Sequence, residues 1–281
     1  MSRLYETLRR MELQRGKTNP VQIASMPPVE LVNTAMTEQH EVNLTPVAEV
    51  ELSQSPRLVA VADPRGLAAE KFRALTTRLE NYRKEHDLKS LQLSSAVGRE
   101  GKTLLSGNLA ITLAKHSGAK VLIVEGDMRR PTLASLFGLN KPVGIGDWWS
   151  ARDDKERIPN YLYRVKGMPL WFLGAGAPHE QPSQILQSAR FAEMFTRLVS
   201  WFDWVVVDST PILPVVDTNL WSRLVDGTLL VVREKVTPIP ALKKALDNLD
   251  NPKLIGVILN EASEFDRINY TDQYYALDRG Q

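Results

Sequence analysis

Residues 94–110, SSAVGREGKTLLSGNLA, decide the fold, because they join a glycine-bearing loop to the start of a helix. The short apolar run 91–95 leads into the loop, and the pair Lys102-Thr103 opens the helical segment. This order is typical of a phosphate-binding loop, whose backbone N–H groups and helix N-terminus bind phosphate oxygens. Ala96 stands where the common pattern has its first glycine. For this match alone, a helix start with an incidental glycine and lysine is the alternative.

The residues of the loop have separate expected roles. Lys102 is expected to reach the β- and γ-phosphates of ATP, and the Thr103 hydroxyl to bind Mg²⁺. Arg99 either supplies a second positive charge near the γ-phosphate or points to solvent. Asn260 either contacts the adenine base or occupies an ordinary turn. The predicted nucleotide-binding residues are Gly98, Arg99, Glu100, Gly101, Lys102, Thr103, Leu104, Arg129 and Asn260.

Beyond the loop, apolar runs alternate with helical segments. Most runs are apolar at consecutive positions, as in parallel strands covered on both faces. The runs are 91–95, 120–125, 170–173, 204–208, 227–232 and 254–259, and the helical segments are 67–85, 102–116, 183–201, 217–224 and 238–249. The alternation predicts an α/β fold, a doubly wound, mostly parallel sheet with helices on both faces.

Two of the predicted strands end in acidic residues. The run VLIVEGDMRRP ends in Glu125, followed by Asp127, and WVVVDSTP ends in Asp208. Because ligands bind beyond the carboxyl ends of parallel strands, we expect these acids to face the nucleotide crevice. Mg²⁺ usually binds through one or two carboxylates together with phosphates. We therefore predict Thr103, Asp127 and Asp208 as its ligands.

Composition excludes several classes of protein. The 281 residues carry a net charge of only +2, which gives no strong electrostatic case for nucleic acid as the main partner, and we expect none. The chain has no cysteine, so it has neither disulfides nor thiolate metal sites. No apolar run approaches the roughly 18 residues of a membrane span. The N-terminal residues carry charges throughout and lack the apolar segment of a secretory signal. We expect a cytoplasmic protein that a partner recruits to the inner face of the plasma membrane.

Three regions follow from the change of composition along the chain. Residues 1–57 are expected to form a short helix and a flexible, proline-containing linker. Residues 58–265 are expected to form the phosphate-binding-loop domain. Residues 266–281 are expected to form a mobile tail with three tyrosines.

Taken together, the motifs resemble the bacterial tyrosine kinases of capsule and exopolysaccharide synthesis, which are P-loop proteins related to the MinD/ParA ATPases. The resemblance runs from about Ala68 to the C-terminus. It rests on the ordered set SSAVGREGKT, VLIVEGDMRRP, VVVDSTP, GAGAPHEQPSQIL, LVDGTLLVVR and NYTDQYYALD.

The resemblance implies an ATP- and Mg²⁺-dependent autokinase that phosphorylates Tyr270, Tyr274 and Tyr275 in trans within a ring of subunits. It further implies activation by the cytoplasmic segment of a membrane polysaccharide co-polymerase, and an opposing protein-tyrosine phosphatase. The family builds its ring on a Glu-x-x-Arg-x-x-Arg helix. Here Glu70 and Arg73 match, Thr76 replaces the last arginine, and Arg78 follows two residues later.

Three departures from the family pattern bear on the chemistry. The usual loop Pro-Gly-Glu-Gly-Lys is Gly98–Lys102 here, the usual first aspartate of the second motif is Glu125, and Thr210 replaces a proline after Asp208. The resemblance implies that Lys102, Glu125, Asp127 and Asp208 are catalytic, with Glu125 helping to activate the tyrosine hydroxyl. One extra methylene displaces that carboxylate by about 1 Å, and misplacement on this scale costs on the order of 10² in rate. A nucleotide-binding pseudokinase regulator and a MinD/ParA-type positioning ATPase are the alternatives.

Overall fold

The structure is a computed structural model that describes residues 48–151, 158–249 and 253–262. Its strands are β1 (Ala48–Val50), β2 (Ser90–Ser95), β3 (Val121–Glu125), β4 (Leu162–Val165), β5 (Leu170–Leu173), β6 (Trp204–Asp208), β7 (Gly227–Arg233) and β8 (Leu254–Asn260). Its α-helices are α1 (Val59–Ala62), α2 (Leu67–His86), α3 (Lys102–Ser117), α4 (Leu133–Phe137), α5 (Ile145–Ala151), α6 (Pro182–Gln187), α7 (Ala189–Trp201), α8 (Asp217–Leu224) and α9 (Ile239–Asp247). A 3₁₀ turn at Ile158–Tyr161 precedes β4.

All eight strands form one sheet in the order β1-β4-β5-β3-β6-β2-β7-β8. Every neighbouring pair is parallel except β4 and β5, which are antiparallel. The predicted fold class is therefore confirmed. The carboxyl ends of β3, β6 and β2 lie side by side, which brings the two acidic strand ends next to the phosphate-binding loop.

Helices cover both faces of the central strands, which explains why these strands are apolar at consecutive positions. Within β6, Trp204 and Val206 belong to one buried cluster, together with side chains of α3. Val205 and Val207 belong to a second cluster, with side chains of α7 and α8. Alternate residues of a strand point to opposite faces, so a sheet covered on both faces buries every position.

The structure corrects the prediction at several elements. Residues 48–50, expected in the linker, form β1 and pair with β4. The helical segment 183–201 is two helices, because Ser188 has extended backbone and its side chain accepts a hydrogen bond from Phe191 N. Strand β4 and helices α1, α4 and α5 were not predicted. Each of these four is four to seven residues long, too short for a clear period.

No helix in residues 48–151, 158–249 and 253–262 is long and apolar enough to cross a membrane. The predicted N-terminal helix and the three tail tyrosines lie outside the described residues.

Candidate nucleotide site

The loop between β2 and α3 has the backbone of a phosphate-binding loop. Gly101, just before α3, has a φ of 93°. A Cβ there would lie 2.2 Å from the side-chain nitrogen of Asn260, so only glycine fits this position. The first backbone N–H groups of a helix have no partner within the helix. Those of Lys102, Thr103 and Leu104 are therefore available to an anion at the end of the loop where the sequence predicts phosphate binding.

Glu100 and Asn260 hold this loop from within. Glu100 is fully buried, and its carboxylate accepts hydrogen bonds from Val97 N, at 2.9 Å, and from the Thr237 hydroxyl. Asn260 Nδ2 donates to the Glu100 carbonyl at 2.9 Å, and Asn260 Oδ1 accepts from Glu261 N at 3.0 Å. The Glu100 side chain thus faces inward rather than toward a nucleotide. Both polar groups of the Asn260 amide are engaged with backbone, which departs from the predicted adenine contact.

Lys102 and Asp208 form the buried centre of the site. The two residues are 8% and 1% exposed. Burial raises the pKa of Asp208 to about 7, against hydrogen bonding by Thr103 and the charge of Lys102, which both lower it. Ser106 Oγ also contacts Asp208 Oδ1, at 3.3 Å. Burial lowers the pKa of Lys102, while Asp208 and Asp127 oppose this shift. The lysine and the two aspartates are thus close enough to interact.

Asp127 is the partly exposed acid of the site. Its Oδ1 accepts a hydrogen bond from Arg130 N at 3.0 Å. Burial raises its pKa, and the backbone hydrogen bond from Arg130 and the charge of Lys102 oppose this. The preceding Gly126 donates its N–H to the Asp208 carbonyl at 2.9 Å, which joins the ends of β3 and β6. This bond connects the backbone next to Asp127 with that of Asp208.

Glu125 lies beside Asp208 in register but has different surroundings. It is 1% exposed, and its two carboxylate oxygens accept from Ala134 N at 3.0 Å and Ala175 N at 3.2 Å. Burial raises its pKa, and these backbone hydrogen bonds oppose the shift. The role expected for Glu125, activating a tyrosine hydroxyl, requires an accessible oxygen. In this structure the carboxylate instead anchors α4 and the loop after β5 to the end of β3.

Arg129, a predicted nucleotide-binding residue, forms an ion pair instead. Its Nε and one terminal nitrogen donate to the two oxygens of Asp217, at 2.7 and 3.1 Å. Asp217 begins α8 and is 1% exposed. The pair connects the loop that carries Asp127 to the segment that follows β6. The sequence signal for Asp217 was only its place at the start of a helix.

A magnesium ion with a triphosphate fits the chemistry of these donors. The described part of the chain contains no cluster of three or more His, Cys, Asp or Glu side chains that would hold a metal alone. Mg²⁺ needs fewer protein ligands when phosphates supply the rest. The Thr103 hydroxyl and the carboxylates of Asp127 and Asp208 are oxygen donors of the required kind.

The residues predicted for a subunit interface lie on α2. Arg73 Nε donates to Glu70 at 2.9 Å, and another Arg73 nitrogen donates to the Pro64 carbonyl at 2.8 Å. Arg78 is exposed, whereas Thr76 is fully buried. Position 76, an arginine in the family pattern, therefore faces the protein interior here.

Comparison with known proteins shows that the chain is similar to bacterial tyrosine kinases. No family model matches the chain. The chain is 31% identical over 200 residues to CapB of Staphylococcus aureus, a protein named as a putative tyrosine-protein kinase. That match covers 70% of this chain and 86% of CapB. The chain is also 29% identical over 205 residues to the tyrosine-protein kinase YwqD of Bacillus subtilis. This match covers 72% of this chain and 85% of YwqD. The crystal structure of the chimeric protein CapA2B2 superposes with a TM-score of 0.68 at 25% identity, covering 75% of this chain and 92% of that one.

Proposed function

Because the chain belongs to the family of bacterial tyrosine kinases of capsule and exopolysaccharide synthesis, we propose that it transfers the γ-phosphoryl group of ATP to protein tyrosine. The observation that carries this proposal is the meeting of Lys102, Asp127 and Asp208 at the end of the phosphate-binding loop. The three residues come from α3 and from the loops at the ends of β3 and β6. Their convergence gives a triphosphate both a cation and two metal-binding carboxylates.

In this proposal, the loop backbone and Lys102 hold the phosphates of ATP, while Thr103, Asp127 and Asp208 hold Mg²⁺. The metal neutralises charge on the β- and γ-phosphate oxygens when it is bound. Asp208 is buried beside Lys102, and this lysine favours the ionised carboxylate that a metal requires. Asp208 would hold Mg²⁺ in its ionised form, which Lys102 favours and burial disfavours.

The transfer forms one bond and breaks one. The tyrosine oxygen bonds to the γ-phosphorus as the bond from that phosphorus to the β–γ bridging oxygen breaks, and ADP keeps the electron pair. The phenolic proton leaves the tyrosine, whose unperturbed pKa of about 10 keeps it protonated at neutral pH. We assign its acceptance to the carboxylate oxygen of Asp127 that would not bind Mg²⁺, because Glu125 and Asp208 are almost completely buried and Asp127 is not. Lys102 stabilises the negative charge on the transferred group.

The proposed acceptors are Tyr270, Tyr274 and Tyr275 of a second copy of the chain. A ring that uses Glu70, Arg73 and Arg78 would bring the tail of one subunit to the site of its neighbour. We propose that the cytoplasmic segment of a polysaccharide co-polymerase activates the ring and recruits it to the membrane, and that a phosphatase reverses the modification. Three tail phosphates would add about −5 to −6 charge at neutral pH and favour dissociation of the ring.

Phosphotyrosine formation from Mg-ATP tests the proposal. The assay compares the unchanged chain, Lys102→Ala, the triple tyrosine-to-phenylalanine tail variant, and Lys243→Ala as a control that removes an exposed lysine far from the loop in sequence. A co-polymerase segment is added in parallel. We expect signal from the unchanged chain and from Lys243→Ala, and none from the other two.

Two outcomes would contradict the kinase proposal. Release of inorganic phosphate without phosphotyrosine, with or without the activating segment, would indicate a positioning ATPase. Nucleotide binding without turnover in both conditions would indicate a pseudokinase regulator.

A further inference from the structure

The tip of the phosphate-binding loop carries an arginine in a backbone conformation that favours glycine. Arg99 has a φ of 66° and an exposed side chain. The loop around it is held from within by the hydrogen bonds of Glu100 to Val97 N and Thr237 and of Asn260 to the Glu100 carbonyl. The backbone before and after the tip of the loop is therefore held by hydrogen bonds, at Val97 and at Glu100, while the Arg99 side chain is exposed.

This conformation costs free energy at position 99. A residue with a Cβ in the left-handed region is disfavoured relative to glycine, which adopts it without strain. Other non-glycine residues of the described chain also have positive φ, among them Lys141 and Lys235, but neither is part of the candidate site. Strain that persists at a binding site is a reason to look for a role of the side chain that causes it.

The charge balance of the site indicates what that role is. The buried Lys102 interacts with three acids, Asp208, Asp127 and Glu100. A fourth acid, Glu125, lies beside Asp208 at the end of β3. The nearby Arg129 is committed to Asp217. In the part of the chain that the structure describes, the guanidinium of Arg99 has no hydrogen-bond or ion-pair partner. It is free to bind an anion that enters the loop.

We propose that Arg99 is a further catalytic residue, which donates hydrogen bonds from its guanidinium to the γ-phosphoryl oxygens during transfer. The inference rests on the proposed kinase function. Arg99 keeps its own protons throughout, because a guanidinium stays charged in proteins. As the bond to the tyrosine oxygen forms and the bond to ADP breaks, the arginine and Lys102 share the negative charge on the equatorial oxygens.

Three variants separate the charge of Arg99 from its backbone strain. Arg99→Ala removes the guanidinium and keeps a Cβ at a positive φ, whereas Arg99→Gly removes both the charge and the strain. Lys141→Gly is the matched control, because it replaces an exposed cation with a φ of 46° away from the site. Thermal unfolding of the nucleotide-free proteins tests whether the variants fold. The Tm of Arg99→Gly should be higher than that of Arg99→Ala.

The decisive measurements are the affinities for Mg-ADP and for a non-hydrolysable Mg-ATP analogue, together with the rate of phosphotyrosine formation. Both Arg99 variants are expected to bind the analogue about tenfold more weakly while ADP affinity changes less than about threefold. Their kcat should fall by about 10²-fold, the scale for losing one preorganised donor to a developing charge. Lys141→Gly should match the unchanged chain in all three measurements.

The inference is overturned if the Arg99 variants keep the wild-type preference for the triphosphate and the wild-type rate. It is equally overturned if ADP and analogue affinities fall together, since that would indicate a role in the shape of the loop. Failure of the kinase proposal itself looks different. In that case the unchanged chain forms no phosphotyrosine with or without the activating segment.

Discussion

Replacing Glu125 distinguishes an anchoring carboxylate from one that activates a substrate. The informative change is Glu125→Gln, which keeps the shape of the side chain and removes its charge. The carboxylate oxygens accept backbone hydrogen bonds at 3.0 and 3.2 Å, from Ala134 N and Ala175 N, in a position that is 1% exposed. In the amide, one of the two oxygens becomes an NH₂ group, which cannot accept a hydrogen bond from a backbone N–H.

The cost can be worked from these two contacts. A hydrogen bond to a charged group contributes about 1.5–3 kcal/mol, and a buried N–H left without an acceptor costs about 1–3 kcal/mol. Removing the buried charge offsets part of this, because burial raises the pKa of Glu125 and so disfavours its ionised form. We expect a net loss of about 2 kcal/mol in the free energy of unfolding. For a domain of this size, that lowers the Tm by about 4–8 °C.

The assay is thermal and urea unfolding of the nucleotide-free protein, so that ligand binding does not contribute. Glu193→Gln is the control, because Glu193 is exposed on α7 and its loss should change the free energy of unfolding by less than about 0.5 kcal/mol. The anchoring role would be refuted if Glu125→Gln had the same free energy of unfolding as the Glu193→Gln control but formed no phosphotyrosine. That result would restore the role in activating the hydroxyl.

Three further predictions follow from the surroundings of the site. Asp217→Asn and Arg129→Ala should each cost about 1–3 kcal/mol in unfolding experiments, and a double-mutant cycle with a coupling near zero would contradict the ion pair. Without nucleotide, the chain should lose stability as the pH rises through about 7, because the raised pKa of Asp208 makes folding take up a proton. The stabilisation from Asp208 is fully present below its ordinary pKa of 3.8 and is lost between there and about 7. Asp208→Asn should remove this dependence of the free energy of unfolding on pH, which has a slope of up to about 1.4 kcal/mol per pH unit. Equal slopes for the two proteins would refute the raised pKa of Asp208. Asn260→Ala should raise the Kd of Mg-ADP about tenfold by releasing the Glu100 carbonyl, and an unchanged Kd by calorimetry would show that the loop does not need this clamp.

Much of the fold could be predicted because its signals are local. A run such as WVVVD is apolar at successive positions, and such a run, bounded by polar residues and followed by a helical period, indicates a parallel strand covered on both faces. The edge of the sheet had no such signal. Strands β1 and β4 have only three and four residues, and their pairing depends on segments more than a hundred positions apart.

The residue types of the site could be predicted from the sequence, but the hydrogen-bond partners of each side chain could not. Glu125 and Asp208 both end apolar strands, and register places them side by side. Glu125 accepts hydrogen bonds from the backbone of α4 and of the loop after β5, while Asp208 interacts with Lys102 and Thr103. No pattern in the chain distinguishes these surroundings, because each depends on loops that close over the strand end only in the folded protein.

By itself, the amino-acid sequence determined the alternation of strands and helices, the phosphate-binding loop and the acids at two strand ends. These features depend on backbone preference and side-chain period within a few neighbouring residues. Only the tertiary structure decided that Arg129 is held by Asp217, that Asn260 clamps the loop, and that Arg99 stands without a partner in the described chain. The physical reason is that a side chain's hydrogen-bond partners and burial are set by segments far away in the chain, which meet only when the sheet and its loops are assembled.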